Sequence, residues 1–399
     1  MPMGSLQLHG GNQAATAARL GCRPSQLLDA SASLTPFGPP WAVRSPLIWA
    51  GLRSALGAGL GSPLRAYPDR SYADLRRGLA RLHGLEPDWL LPGNGAAELF
   101  TWAARDATAT GLSVLPQPGF ADYPRALVCW GGAWCSQPLP LQFFGSGAGA
   151  AQAHPVPPAG EVLWITNPHN PTGALWSRSS LEPLLQRFGL VIADEAFLPL
   201  VQGGEAQSLI PLVRMHPNLV VIRSLTKLYG IAGLRLGYAL GHPERLARWA
   251  SWRDPWPVNG LAAAVGERLL ADPAAYRRWC AKVQSWTARE GAWLQRQLAQ
   301  LPGITPLPSA ANFLLIRAEH SLVPLRQALE QRHHIMLRDC CSFEGLGENW
   351  LRIGYQSHRN NRRILRALRQ ELGRLSSDSD LAEIRPGCSE PNTRSDVPG

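Results

Sequence analysis

The chain is predicted to fold as an α/β protein, with a mostly parallel central sheet covered by helices and a smaller α+β C-terminal domain. Three observations carry the prediction. Short apolar runs recur through about Gly241, at Val162-Leu163-Trp164-Ile165-Thr166, Val191-Ile192-Ala193-Asp194 and Leu219-Val220-Val221-Ile222, and helical patterns alternate with them. A composition of 45% hydrophobic and 17% charged residues over 399 positions supplies a core large enough for one major and one smaller domain. A long helical segment from about Gly260 to Leu301 then leads to strand-like stretches around Arg338 and Arg352, which sets off the second unit.

In order, residues 1–44 form an N-terminal arm, residues 45–258 the large domain and residues 259–375 the small domain. Gly145 to Gly160, rich in Gly, Ala and Pro, reads as a loop, and Trp252-Arg253-Asp254-Pro255-Trp256-Pro257 breaks the pattern before the long helix. After Leu375 the composition turns polar, so Ser376 to Gly399 is expected to be a disordered tail.

Several function classes are excluded at this level. No apolar run reaches bilayer length, and Met1-Pro2-Met3-Gly4 lacks the charged start of a signal peptide, so a cytoplasmic placement without membrane association is expected. Seven scattered cysteines form no Cys-x-x-Cys pair and indicate neither a metal site nor a disulfide framework. The net charge of +10 falls largely in His358 to Arg369, whose apolar residues recur at helical spacing. Those arginines read as a solvated helix face, and no nucleic-acid signature accompanies them.

The chemistry begins at Arg223-Ser224-Leu225-Thr226-Lys227-Leu228-Tyr229-Gly230-Ile231-Ala232-Gly233-Leu234-Arg235. A lysine whose pKa is lowered by burial or neighbouring cations can form an imine with an aldehyde cofactor, and Ser224, Thr226 and Arg235 suit that cofactor's phosphate. Taken alone, a Ser/Thr-Lys pair also reads as a solvated strand end. Asp194, closing an apolar run, is placed to pair with a pyridinium nitrogen or to act as a helix N-cap. Asn170, in the turn Asn167-Pro168-His169-Asn170-Pro171-Thr172-Gly173, could donate to a phenolate oxygen or be punctuation. Gly93-Asn94-Gly95-Ala96 runs into a helix pattern whose first N–H groups, at Gly95 and Ala96, point at an anion. Phe120 is a candidate to stack on a flat ring, or a core aromatic.

This ordered set, spread from about His9 to about Leu375, resembles the fold-type I pyridoxal phosphate enzymes of the class I/II aminotransferase superfamily. The resemblance implies pyridoxal 5'-phosphate as cofactor and Lys227 as its Schiff-base lysine. Asp194 is then the pyridine-nitrogen partner, Asn170 the phenolic-oxygen contact and Phe120 the stacking ring. Gly95, Ala96, Ser224, Thr226 and Arg235 form the phosphate cradle. Tyr67 matches a tyrosine that reaches the phosphate across a dimer interface, so a homodimer is implied. Phe197 stands where many relatives have a tyrosine, which removes one hydrogen bond to the phenolic oxygen.

Within that superfamily, Leu8-His9-Gly10-Gly11-Asn12 and Asp29-Ala30-Ser31-Ala32-Ser33-Leu34-Thr35-Pro36-Phe37-Gly38 resemble the opening of threonine-phosphate decarboxylases of cobalamin synthesis. The resemblance implies a substrate-phosphate site at His9, Gly10, Ser33 and Thr35, the last two standing where asparagine is common; a mobile terminus is the alternative for His9. Arg352 is then the α-carboxylate ligand, with Asn170 beside it, and Arg338 faces the substrate phosphate or its neighbourhood. The bond held perpendicular to the cofactor ring breaks most easily, so Arg352 decides between loss of carbon dioxide and loss of a proton to Lys227. Decarboxylation of L-threonine O-3-phosphate is the reading the resemblance favours. Histidinol-phosphate aminotransferase is the first alternative and a non-catalytic binding protein on the same fold the second.

Overall fold

The structure, a computed structural model, describes residues 10–56, 62–139, 141 and 150–383, with side chains as far as residue 375. His9 lies outside the described residues. A seven-stranded sheet is built from β1 (Leu90–Asn94), β2 (Ser113–Gln117), β3 (Trp134–Pro138), β4 (Val162–Thr166), β5 (Leu190–Asp194), β6 (Leu219–Ser224) and β7 (Leu236–Leu240). Their order is β1-β7-β6-β5-β4-β2-β3. Only β7 runs antiparallel to its neighbours, and the remaining pairs are parallel.

Side-chain alternation explains why β4, β5 and β6 are apolar throughout. Leu163, Ile165, Val191, Ala193, Leu219 and Val221 enter one buried cluster, while Val162, Trp164, Leu190, Ile192, Val220 and Ile222 enter another. Both faces are therefore covered, as a parallel sheet requires. Register aligns Thr166 with Asp194 and Asp194 with Ile222, two residues before Ser224. The polar ends of three adjacent strands thus emerge at one edge, where ligands bind in open α/β sheets.

Beneath that edge, Arg223 and Glu195 are fully buried and paired. The Arg223 guanidinium donates to Glu195 at 2.9 and 2.6 Å and to Glu205 at 2.7 and 3.0 Å. A planar fork between two carboxylates joins the residue after β5 to the next-to-last residue of β6.

A second sheet contains β8 (Thr305–Pro306), β9 (Phe313–Arg317), β10 (Arg338–Asp339) and β11 (Trp350–Gly354), all antiparallel, in the order β8-β9-β11-β10. The arm is joined to this part of the molecule. Leu28–Asp29 pairs parallel with Ile335–Met336, and the Gly354 N–H donates to the Ala30 carbonyl at 2.8 Å. A Cβ on Gly354 would stand 2.9 Å from the Ala32 carbonyl oxygen, so the arm approaches β11 only because no side chain intervenes.

Two expectations need correction. The long helix is divided into Gly260–Leu270 and Pro273–Leu298, because Asp272 accepts from the Ala274 and Ala275 N–H groups and Pro273 opens the second helix. The last helix, His358–Glu383, continues past Leu375 into the first residues of the expected tail, and residues 384–399 of that tail lie outside the described residues. That stretch contains no proline or glycine before Pro386, so nothing in it stops a helix already under way. Among the described residues no helix is long and apolar enough to cross a membrane, and the six described cysteines are free.

Candidate active site

The strand β1 delivers the chain directly into helix Gly95–Thr110. Glu98 reaches back to accept from the Asn94 N–H at 2.7 Å and from the Trp102 indole at 2.7 Å, which fixes the junction. Gly95 has φ +73°, and a Cβ there would stand 2.5 Å from Arg235 Nη2. Glycine therefore both makes the turn and leaves room for the guanidinium. Arg235 itself has φ +57°, a left-handed conformation costing about 1 kcal/mol or more for a side-chain-bearing residue. The turn directs a cation toward the first N–H groups of the helix.

At the end of β6, a short helix Leu225–Tyr229 carries Lys227. Ser224 Oγ and Thr226 Oγ1 lie 2.6 Å apart. Both line a cavity of about 200 Å³ together with Ala96, Ala97, Phe120, Asp122, Asn170, Asp194, Phe197, Lys227 and Arg235. On its other side stand Gly10, Ser31, Ala32 and Ser33 from the arm, Arg338 and Arg352 from the second sheet, and Phe343 from the loop between their strands.

Electrostatics separate the groups. Burial lowers the Lys227 pKa to about 8, assisted by the charges of Arg352 and Arg235 and opposed by Asp194 and Asp122. Burial raises the Asp194 carboxyl to about 6, opposed by donors from Tyr123 and the Ala196 N–H and by the Lys227 charge. The Lys227 Nζ lies 5.5 Å from the Phe197 ring centroid, and Phe197 packs edge-on against Phe313, over which Arg352 sits. An aromatic wall thus runs between the lysine and the arginine.

Arg352 is 7% exposed and held on two sides. Its Nη1 donates to Asn170 Oδ1 at 2.5 Å and its Nη2 to the Ser31 carbonyl at 3.1 Å. Because a guanidinium has only donors, Asn170 must turn its oxygen toward Arg352, which leaves its NH₂ group to donate elsewhere. Arg352 Nε is buried without a partner, and so is Ser33 Oγ.

Most of the expected residues converge here: Gly10, Ser33, Ala96, Phe120, Asn170, Asp194, Ser224, Thr226, Lys227, Arg235, Arg338 and Arg352 all line the cavity. Gly95 backs Arg235. Thr35 is a correction, since its hydroxyl turns away to the Leu228 carbonyl at 3.4 Å beneath the lysine helix and lines no part of the cavity. Tyr67 is 77% exposed, stacked on Trp256 at 4.3 Å, and also outside the cavity.

Sequence reasoning missed Ser31 and Tyr123. Ser31 lines the cavity where Thr35 does not, its N–H and hydroxyl both donating to Asp29 Oδ1, at 2.8 and 2.5 Å, while its Oγ accepts from the Gly11 N–H. Tyr123 donates to Asp194 Oδ2 at 2.7 Å. Its only sequence signal was its position three residues after Phe120.

With this geometry described, known proteins can be compared. Residues 44–368 match the family model described as aminotransferase class I and II. The chain is 36% identical to the threonine-phosphate decarboxylase of Salmonella typhimurium, over 91% of this chain and 96% of that protein. It is 34% identical to a histidinol-phosphate aminotransferase of Symbiobacterium thermophilum, over 85% and 88% of the two chains. The histidinol-phosphate aminotransferase of Sinorhizobium meliloti, solved in complex with pyridoxal-5'-phosphate, superposes with a TM-score of 0.75 at 21% identity, covering 92% of this chain and 95% of that one. The strand-end lysine, acid and asparagine therefore sit in a fold shared with such enzymes, and the chain belongs to the aminotransferase class I and II family.

Proposed function

We propose that this enzyme uses pyridoxal 5'-phosphate to decarboxylate L-threonine O-3-phosphate, giving (R)-1-amino-2-propanol phosphate and carbon dioxide. The observation that carries the reading is the arm's share in the cavity: Gly10, Ser31 and Ser33, from the segments whose sequence resembles the decarboxylases, line it together with Arg338 and Arg352. The 36% identity to the Salmonella typhimurium decarboxylase over nearly the whole chain supports it.

The residues present fit the cofactor. Ser224, Thr226, Arg235 and the first N–H groups of helix Gly95–Thr110 make an anion cradle, and the glycine at its head leaves the room in which the Arg235 guanidinium stands. Phe120 offers a ring face, Asp194 a carboxylate for the pyridine nitrogen, Asn170 a donor for the phenolic oxygen and Lys227 the amine. When bound, the cofactor supplies an electron sink for the bond that breaks at the substrate's α-carbon.

The protein's own groups do the rest. Lys227, lowered to about 8, stays mostly protonated at pH 7 but has a neutral fraction of about a tenth there, far more than an ordinary lysine, and can hold or return a proton. Arg352 is rigid before substrate arrives, so a carboxylate bound to it takes an orientation set by Asn170 and Ser31. Ser33 Oγ, buried and unpartnered, and Arg338 face the region left for a second anion. The Phe197–Phe313 wall excludes water and strengthens these charge contacts.

A homodimer is part of the proposal, with Tyr67 reaching the other protomer's phosphate cradle. Helix Trp41–Ala55 exposes Trp41, Ile48, Trp49 and Leu52, an apolar face suited to a second copy. Sedimentation should return a dimer mass, and Trp49→Glu should shift it toward monomer.

The test of the reaction is carbon dioxide release from L-threonine O-3-phosphate by purified, cofactor-loaded enzyme without any keto acid. Release is expected. Transfer of the amino group from histidinol phosphate to a keto acid, without release, would move the chain to the aminotransferase reading.

A further inference from the structure

Tyr123 is fully buried at the start of helix Asp122–Val128, and its hydroxyl meets two partners. One is Asp194 Oδ2 at 2.7 Å, and the other is Thr166 Oγ1, the last residue of β4, at 2.8 Å. The opposite carboxylate oxygen, Oδ1, accepts from the Ala196 N–H at 2.9 Å. Three further aromatic rings, Phe100, Phe120 and Trp164, pack on Tyr123 and hold its hydroxyl in place.

A phenol has one proton and two neighbours to choose between. An ionised carboxylate only accepts, so with Asp194 charged the proton goes to Asp194 and the phenolic oxygen accepts from Thr166. The donors then run in one direction, Thr166 to Tyr123 to Asp194. If Asp194 takes up a proton, the chain must reverse, with Asp194 donating to Tyr123 and Tyr123 to Thr166.

We propose that the Thr166–Tyr123 hydroxyl pair is a positioning relay that sets the protonation state of Asp194, with Tyr123 keeping the carboxylate ionised and aimed into the pocket. The proposal rests on the pyridoxal phosphate reading, under which a charged Asp194 holds the pyridine nitrogen protonated. Tyr123 touches neither substrate nor cofactor in this account; it acts through Asp194. The groups facing Asp194 are Lys227, whose charge favours the carboxylate, Glu195, whose charge opposes it, and the Tyr123 and Ala196 donors. Tyr123 is the donor that a point substitution removes while leaving the ring packing in place.

The relay predicts that only one of two conservative variants moves the limb upward. Tyr123→Phe removes a donor from the carboxylate and should move the acid limb of Asp194 upward by about one pH unit, the effect of a single charge-assisted hydrogen bond. Thr166→Val removes the acceptor that Tyr123 needs when the chain reverses. It strands a buried O–H only in the protonated state, so the limb should stay in place or move down.

The measurement is the infrared carboxyl titration of the cofactor-free full-length protein, with Asp194→Asn subtracted, alongside cofactor affinity as a function of pH. Tyr123→Phe should weaken pyridoxal 5'-phosphate binding about twofold at the displaced limb, rising toward about tenfold at pH below both limbs, in step with the carboxyl titration. A Tyr123→Phe limb at the wild-type position, or an upward shift of the same size in both variants, would overturn the relay. Failure of the wild-type protein to bind the cofactor at all would instead sink the functional reading on which the relay stands, and the relay's role with it.

Discussion

The two sides of the pocket differ in how completely their polar groups are matched within the protein. On the sheet side Asp194 has donors on both oxygens, Ser224 and Thr226 share a hydrogen bond, and Arg235 is held by a turn in which Gly95 makes room for it. On the side made by the arm and the second sheet, Ser33 Oγ and Arg352 Nε are buried without partners. A buried unpaired polar atom is unfavourable, and a ligand that pairs it removes the penalty. The comparison teaches that the sheet side is a frame whose polar groups are matched within the protein, while the arm side holds unmet hydrogen-bonding capacity, which under the proposed function would meet the substrate.

The largest expected effect lies on the sheet side. Lys227→Ala should reduce carbon dioxide release by about 10³-fold or more, the scale of losing a positioned acid–base group, and steady-state assay of the loaded enzyme checks it. Next is Arg352→Gln, which on the proposed reading removes the guanidinium that would meet the substrate carboxylate, and which frees Asn170 to rotate. Its kcat/KM should fall about 10²-fold, in line with loss of a charge-assisted pair. If Arg352→Gln were as mild as a surface change, the division between the two sides would break.

A smaller effect sharpens the division. Ser33→Ala should raise KM for the phosphorylated substrate about tenfold with little change in kcat, because the lost bond is made equally in ground and transition states. Thr35→Ala should leave KM alone, since that hydroxyl serves the Leu228 carbonyl. Equal effects at Ser33 and Thr35 would erase the distinction.

The smallest effect concerns stability behind the Asn170 turn. His154 and His169 are buried against Trp176, and burial lowers their pKa values to about 4 and about 3. Both folded values lie below the ordinary 6.5, so the unfolded chain binds protons first as the solution is acidified. The stability they confer is complete above pH 6.5 and is lost as pH falls toward 4 and 3. Between pH 6.5 and 5.5 each should cost about 1 kcal/mol by linkage, and denaturant midpoints of His154→Gln against wild type should show the flatter profile.

The same contrast explains what could be read in advance. Lys227, Asp194 and Asn170 were legible because each closes or follows an apolar run, and a strand of known direction leaves its next residue at the sheet's edge. Residues of an irregular arm have no such period. Nothing local distinguishes Ser31, which meets Asp29 and Arg352, from Thr35, which turns under the lysine helix. Tyr123 was hidden for another reason: its partner Asp194 lies 71 residues away, and only the packing of helix Asp122–Val128 against the sheet brings them together. The continuation of the last helix past Leu375 was missed because polar composition was taken as disorder, although no helix-stopping residue stands there.

One competition assay tests the central claim most directly. Cofactor-loaded enzyme receives equimolar L-threonine O-3-phosphate and histidinol phosphate together with 2-oxoglutarate, and products are resolved by mass spectrometry. The account predicts aminopropanol phosphate and carbon dioxide with no glutamate formed. Glutamate appearing at the expense of histidinol phosphate, with threonine phosphate untouched, would contradict it.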